Sequence, residues 1–208
     1  MENNFKRIAA WTGLALAAGL YYFENYIPEV SEYQVSSTKI PNDFDNYRIV
    51  QLSDLHCRSF GYNSLRIIHQ VKSLKPDLIL LTGDMVSRQD LNAKPFYNLV
   101  KGLAKKYPTY YVIGNHELDL TERQLSELYS TLRGYGVQVM QNDHIILTKG
   151  RSAVDLYGMY CPINFYKDKS GSYRKPDIFG IDEMRSLIGT VSSGRFSILM
   201  AHNPLFFP

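Results

Sequence analysis

Four short segments hold the residues best suited to chemistry: Asp54-Leu55-His56, Gly83-Asp84, Gly114-Asn115-His116-Glu117 and Ala201-His202-Asn203-Pro204. Each follows a short apolar run. Carboxylate, amide and imidazole donors in this pattern suit two divalent cations held side by side, because ions about 3.5–4 Å apart need a shared anion to offset their repulsion. Asp84 is the natural bridge. Asp54 and His56 lie two residues apart, so on an extended strand end both side chains project to one face and can chelate a first ion. Asn115 offers a carbonyl oxygen and His202 an imidazole nitrogen, which with Asp84 begin a second coordination sphere. His116 adjoins Asn115 and diverges from it, which leaves it for another task; acid catalysis at a leaving oxygen is the natural one. Glu117 and Glu122 receive no chemistry from this reading. Taken singly, each segment also reads as a turn or as a satisfied core histidine. Together they favour a site.

The elements that must position these residues alternate regularly. Tyr47–Leu52 is a run of β-formers that delivers Asp54 and His56, and Asn63–Leu74 follows with helical spacing of Leu65, Ile68 and Val71. Asp77–Thr82 is almost wholly apolar, as a strand covered on both faces should be, and ends at Gly83-Asp84. A helix from about Pro95 to Lys106, a strand over Thr109–Ile113 and a helix over Thr121–Arg133 continue the pattern. Three strands thus end in three motifs, and open α/β sheets bind ligands outside the carboxyl ends of their strands. Shorter strands near Gln138–Met140, His144–Thr148 and Asp155–Tyr157, a helix around Ile181–Ile188 and a strand over Phe196–Met200 leading to His202 suggest a second sheet. His69 and His144 lack such companions and read as structural or solvated. The loop around Tyr160–Tyr173, with Phe165, Tyr166, Lys167, Lys169 and the neighbouring Arg174, could line a substrate mouth.

In this order the four blocks resemble the calcineurin-like metallophosphoesterase superfamily, in particular its small membrane-associated bacterial phosphodiesterase branch, from about Tyr33 to the last residue. That family's pattern runs D-x-H, G-D, G-N-H-[ED], a lone His, then G-H-x-H. The first four elements are present and the fifth is not, since the chain reads Leu205-Phe206-Phe207-Pro208 after His202. The resemblance implies a four-layer α/β/β/α sandwich, here expected to be C-terminally incomplete. It also implies that each metal takes one further histidine from the missing block. It assigns the acid role to His116 and the metals to Asp54, His56, Asp84, Asn115 and His202. The expected reaction is in-line displacement at phosphorus, with a hydroxide bridging the metals as nucleophile. The expected cofactors are two divalent ions, Mn²⁺ first, with Fe or Zn also compatible with these ligands. Rival readings are a pyrophosphate hydrolase of the UDP-2,3-diacylglucosamine type and a non-catalytic membrane-tethered remnant.

Residues 1–25 read as a membrane anchor, residues 26–46 as a linker with an edge strand around Tyr33–Lys39, and residues 47–208 as the catalytic domain. Ile8–Phe23 carries no charge, with Lys6 and Arg7 before it and Tyr21-Tyr22 at its far end. Sixteen helical residues reach roughly 24 Å against a hydrocarbon core of about 30 Å, a deficit that interfacial aromatics and bilayer thinning can absorb. A cleaved signal peptide is the weaker alternative. Basic residues before the segment and acidic ones after it favour a cytoplasmic N-terminus and a catalytic domain outside the cytoplasm. A net charge of +3 from 23 basic and 20 acidic residues gives no support to a nucleic-acid surface and names no partner of its own; a phosphate-ester substrate is what the resemblance implies. Cys57 and Cys161 read as free thiols, with Cys57 packed and not ligating.

Overall fold

In the computed structural model the described residues are 2–88, 92–167, 172 and 179–203. Lys169, Tyr173 and Arg174 of the aromatic, basic loop and the segment 204–208 lie outside them. Four strands, β1 (Ile49–Leu52), β2 (Leu78–Thr82), β3 (Thr109–Val112) and β4 (Gln138–Val139), form a parallel sheet in the order β1-β2-β3-β4. The connecting helices are α2 (Leu65–Ser73), α3 (Lys94–Leu103) and α4 (Glu122–Gly134). Parallel neighbours joined in sequence need crossovers of one hand, which places all three helices on the same face. Ile79, Leu81 and Tyr111 pack there against Ile68, Val71, Leu99, Leu103 and Leu132.

Alternation along the strands makes the opposite face apolar too. Leu78, Leu80 and Val112 point away from the helices and meet Leu147, Val154, Leu156 and Met200 of a second sheet. That sheet comprises β5 (Asp143–Lys149), β6 (Ser152–Gly158) and β7 (Ser197–Met200); β5 pairs antiparallel with β6, and β6 parallel with β7. Its outer face carries Tyr157, Met159 and Leu199 under α5 (Ile163–Tyr166) and α6 (Ile181–Ile188), which contribute Tyr166, Met184 and Ile188. The layering is therefore helices, sheet, sheet, helices. Asp155, buried on β6, is matched by a bidentate Arg195 at 2.8–3.1 Å.

Several expectations change. Tyr33–Lys39 forms no strand; Tyr33 and Val35 are exposed with no apolar face to cover them, and Lys39 N–H turns back to Ser37 Oγ instead of pairing with a neighbour. The linker is held to the domain at Pro28, whose carbonyl accepts from Gln70 Nε2 at 3.0 Å. His144 lies on β5, with its ring stacked on Tyr157. The apolar N-terminal segment does form a helix, α1 (Glu2–Tyr26). Among the described residues, however, no helix is long and apolar enough to cross a membrane. Trp11, Leu14, Leu16 and Leu20 of α1 are exposed, so it is no core helix either. Cys57 and Cys161 are buried and form no disulfide, and Cys57 Sγ accepts the Ser87 N–H at 3.3 Å.

Candidate metal centre

The C-terminal ends of β1, β2, β3 and β7 converge, and the four motifs meet there. Ladder pairing continues past the strands: Asp54 N–H donates to Gly83 O, His56 N–H to Asp84 O and Cys57 N–H to Met85 O, at 3.0–3.1 Å. These bonds lock the Asp54 loop onto the Asp84 loop. The chain bends sharply to do so, with Asp54, His56, Cys57 and Asp84 all in the left-handed region at φ of 57, 47, 61 and 52°. Such conformations cost of order 1 kcal/mol each and persist only where surrounding contacts over-determine them. Three of the four are candidate ligands.

Two glycines make the approach possible. A Cβ on Gly83 would stand 2.4 Å from Gly114 N, and one on Gly114 would stand 2.3 Å from Asp84 Oδ1. The Gly-Asp and Gly-Asn-His turns therefore lie backbone against backbone. What holds them is Glu117, a residue left without a role by the sequence reading. It is fully buried, and its carboxylate accepts four backbone N–H groups, those of Asp84, Met85, Val86 and Gly114, at 2.8–3.2 Å. Burial raises the Glu117 pKa and the neighbouring Asp84 charge adds to this, while the backbone donors offset part of it. The available signal was the acidic residue that closes the G-N-H-[ED] block, whose hold on backbone N–H groups more than thirty positions away no local pattern displays.

Asp84 sits at the centre, its side chain 5% exposed. Its Oδ2 lies 3.3 Å from His202 Nε2, 3.9 Å from His116 Nε2 and 4.0 Å from His56 Nε2, while its Oδ1 accepts the His116 backbone N–H at 2.8 Å. Asp54 Oδ1 is 3.6 Å from His56 Nε2, and Asn115 Oδ1 is 3.1 Å from His202 Nε2. All six candidates of the sequence reading are thus brought to one place. Atoms of Asp54, Asp84 and His202 that could bind a metal lie within 4.8 Å of one another, as do those of His56, Asp84 and His116. Asp54 and His56 also face each other at 3.6 Å, as the strand-end argument expected, although they do so from left-handed turns and not from an extended chain.

The donor set fits a cation on its own chemistry. His202 Nδ1 lies 3.0 Å from the Thr82 carbonyl, which can only accept, so the ring proton is committed there. Nε2 then faces two oxygens, Asp84 Oδ2 and Asn115 Oδ1, and lone pairs confront lone pairs unless a proton or a metal intervenes. Atoms sharing one ion at about 2.0–2.2 Å stand roughly 3–3.6 Å apart, which matches these separations. The same need appears in the electrostatics of the cluster. Burial opposes charge on His202, but its hydrogen bond to Asp84 and the charges of Asp84 and Asp54 outweigh that and raise its pKa. Burial likewise pushes the Asp84 carboxyl up, yet the His202 contact and the His116 backbone donor bring it below its ordinary value.

His116 differs. Burial lowers its pKa, Asp84 opposes, and the positive charges of Arg88 and His56 leave the net shift downward. Its Nδ1 accepts the backbone N–H of Arg88 at 3.4 Å, so the neutral ring carries its proton on Nε2, the atom turned toward Asp84. The role of Arg88 was also invisible in the sequence, since a backbone donor has no residue-type signature.

Comparison with known proteins agrees with the site. The family model described as calcineurin-like phosphoesterase matches residues 47–207. An uncharacterized metallophosphoesterase of Bacillus subtilis, YkuE, is 27% identical over 98% of this chain and 68% of its own length. A transmembrane protein with metallophosphoesterase domain from Danio rerio is 25% identical over 85% of this chain and 39% of its own. The phosphodiesterase YaeI of Escherichia coli is 31% identical over 54% of this chain and 43% of its own. The chain thus spans between 39% and 68% of the length of these relatives.

Proposed function

Since this chain belongs to the calcineurin-like phosphoesterase family, we propose that it hydrolyses phosphodiester or related phosphate ester bonds at a pair of divalent metals. The observation that carries the reading is His202, with Nδ1 committed to Thr82 O and Nε2 aimed at Asp84 and Asn115, an arrangement that a cation completes. The name of the Escherichia coli relative, a phosphodiesterase, supports the diester.

Asp54, His56 and Asp84 would hold one ion, and Asp84, Asn115 and His202 the other. Imidazole, carboxylate and amide oxygen together suit Mn²⁺ first, with Fe or Zn as alternatives. When bound, the metals supply a water of lowered pKa and neutralise charge on the phosphoryl oxygens. The protein's own part is orientation and proton placement. Glu117 and the facing glycines fix the Asp84 and Asn115 turns, so the ligands need little reorganisation. His116, holding its proton at Nε2, donates to the leaving oxygen while the Arg88 N–H keeps the tautomer.

The test is hydrolysis of bis(p-nitrophenyl) phosphate by the purified protein. Activity should require Mn²⁺, vanish with a chelator and return on adding metal. Metal-loaded protein without activity, or activity indifferent to chelation, contradicts the reading.

Membrane association belongs to the same proposal. The exposed apolar side chains of α1 support it, and so does the transmembrane description of the Danio rerio relative. With Lys6 and Arg7 ahead of the apolar stretch, the N-terminus would lie at the cytoplasmic face and the catalytic domain beyond the membrane. Recovery in a carbonate-washed membrane fraction, with the domain digested by external protease, is the expected result. A protein found wholly in the soluble fraction contradicts it.

A further inference from the structure

Each backbone N–H from Asp84 to Arg88, in the loop leaving β2, meets a side-chain acceptor. Those of Asp84, Met85 and Val86 go to the Glu117 carboxylate, that of Ser87 to Cys57 Sγ at 3.3 Å, and that of Arg88 to His116 Nδ1 at 3.4 Å. Arg88 is held through its side chain as well. Its Nη1 lies 3.1 Å from Asp119 Oδ2, and Lys167 Nζ lies 3.1 Å from Oδ1 of the same carboxylate. Asp119 ends the short turn Glu117–Asp119, which His116 precedes, and its N–H donates to the His116 carbonyl at 3.3 Å.

These contacts close a circuit. The His116 imidazole meets the Arg88 N–H, the Arg88 side chain meets the Asp119 carboxylate, and the Asp119 N–H returns to the His116 carbonyl. The Arg88 and Asp119 side chains are 27% and 26% exposed, so solvent and salt screen their attraction less than at an open surface. Two other contacts restrain His116. Its N–H donates to Asp84 Oδ1, and the His56 ring stands edge-on at 4.5 Å between centroids, which limits the tilt of the imidazole plane. Neither contact selects the nitrogen that carries the proton, nor does either distinguish the ring from one given a half-turn about Cβ–Cγ. The Arg88 N–H does both, because it needs a lone pair at Nδ1. An imidazole protonated at Nδ1 would turn a lone pair to the leaving oxygen and could donate nothing there.

We propose that Asp119 is a positioning residue for the reaction: by holding the Arg88 side chain it sets the Arg88 N–H against His116 Nδ1, and so keeps the His116 proton on Nε2. This rests on the proposed function, in which His116 Nε2 donates to the leaving oxygen. Asp119 touches neither substrate nor metal in this role. It shares a turn with His116 and reaches Arg88 across 31 positions, so one carboxylate fixes the imidazole from its own side of the site and from the loop after β2. Lys167, on the other carboxylate oxygen, holds that carboxylate from a third segment, the residue directly after α5.

The experiment compares diphenyl phosphate with bis(p-nitrophenyl) phosphate, with Mn²⁺ present, in the wild type, Asp119→Ala, Arg88→Ala, His116→Ala and the double variant Asp119→Ala/His116→Ala. Phenolate leaves less readily than p-nitrophenolate, so a proton delivered to the leaving oxygen counts for more on the first ester. Asp119→Ala and Arg88→Ala should each lose at least about tenfold more kcat on diphenyl phosphate than on bis(p-nitrophenyl) phosphate, with KM and bound Mn²⁺ unchanged. In the His116→Ala background, Asp119→Ala should change kcat by less than about twofold. Equal losses on both esters, lost metal, or an undiminished effect of Asp119→Ala in that background would overturn the assignment. A wild type inert on both esters defeats the proposed function instead, and a His116→Ala variant as active as the wild type defeats the role given to His116. Imidazole ¹⁵N spectra with Zn²⁺ in place of paramagnetic Mn²⁺ then decide. His116 protonated at Nε2 alone in the wild type and divided between both nitrogens in Asp119→Ala supports the circuit, and any other result overturns it. Arg88→Ala carries the test if Asp119→Ala melts without cooperativity.

Discussion

Glu117 Oε2 accepts the backbone N–H of Asp84 at 2.9 Å, although the two residues lie 33 positions apart. A buried carboxylate thereby fixes the turn that carries Asp84 without itself joining the candidate ligand cluster. Three further backbone donors, from Met85, Val86 and Gly114, close the same carboxylate, so the turns after β2 and β3 form one unit.

Glu117→Gln would replace one acceptor oxygen by an NH₂ group facing backbone N–H groups. Hydrogen bonds to charged groups contribute about 1.5–3 kcal/mol each, and leaving buried donors unsatisfied costs as much again, so a loss of roughly 2–4 kcal/mol is expected. Urea denaturation measures it, and Mn²⁺ affinity should fall alongside. An unchanged midpoint would contradict the structural assignment.

Gly114→Ala tests the close approach of the turns. Its Cβ would press on the Asp84 carboxylate at 2.3 Å and on the Asp84 backbone N at 2.6 Å. Gly83→Ala adds the burden of φ at +90° to a 2.4 Å contact. Both should cost about 2–4 kcal/mol and reduce metal-dependent turnover at least about a hundredfold, by the logic of overpacking and displaced catalytic groups. Turnover near wild type in Gly114→Ala would mean that the turns have room to separate.

The division of roles at the centre is tested by Asp84→Asn against His116→Ala. Removing the shared carboxylate should strip metal from both positions and abolish activity. Removing the imidazole should spare metal content and lower turnover by about 10²–10⁴-fold, the range for general acid catalysis. Metal analysis beside steady-state kinetics separates the two. Equal metal loss in both variants would refute the assignment of His116 to the leaving oxygen.

Alkaline pH should weaken the fold through groups outside the candidate ligand set. Burial pushes the Cys161 thiol up to about 12 from an ordinary 9.0, and burial with the Tyr160 charge lifts Tyr129 to about 12 from 10.0. Both hold their protons longer folded than unfolded. Their contribution is therefore complete below the unfolded values and is lost as pH climbs from there toward about 12, where the unfolded chain binds fewer protons. Urea midpoints should fall between pH 8 and 10.5, and Cys161 should resist iodoacetamide until the chain unfolds. Rapid alkylation of native protein at pH 8 would contradict this burial.

Much of the site was legible because its signals are local. The apolar run Leu78–Thr82 needs burial on both faces, and Gly83-Asp84 after it can only be a turn, so strand end and donor are read together. The same holds for Thr109–Val112 before Gly114-Asn115-His116. Where local pattern misled, tertiary contact decided. Tyr33–Lys39 has strand-like composition but no neighbour to pair with. Asp54 and His56 do meet at 3.6 Å, but from left-handed turns and not from the extended chain that their spacing suggested.

The sequence by itself determined which donors exist, that each follows a strand, and that the alternation of strand and helix would gather them at one end of a sheet, because hydrophobic period and turn chemistry act over a few residues. Only the tertiary structure decided which atoms face one another. His202 Nδ1 meets Thr82 O across 120 positions, His116 Nδ1 meets the Arg88 N–H across 28, and Lys167 reaches Asp119 across 48. Those meetings depend on how two sheets and their helical layers pack, which sums weak apolar contacts over the whole chain and leaves no mark at any single residue.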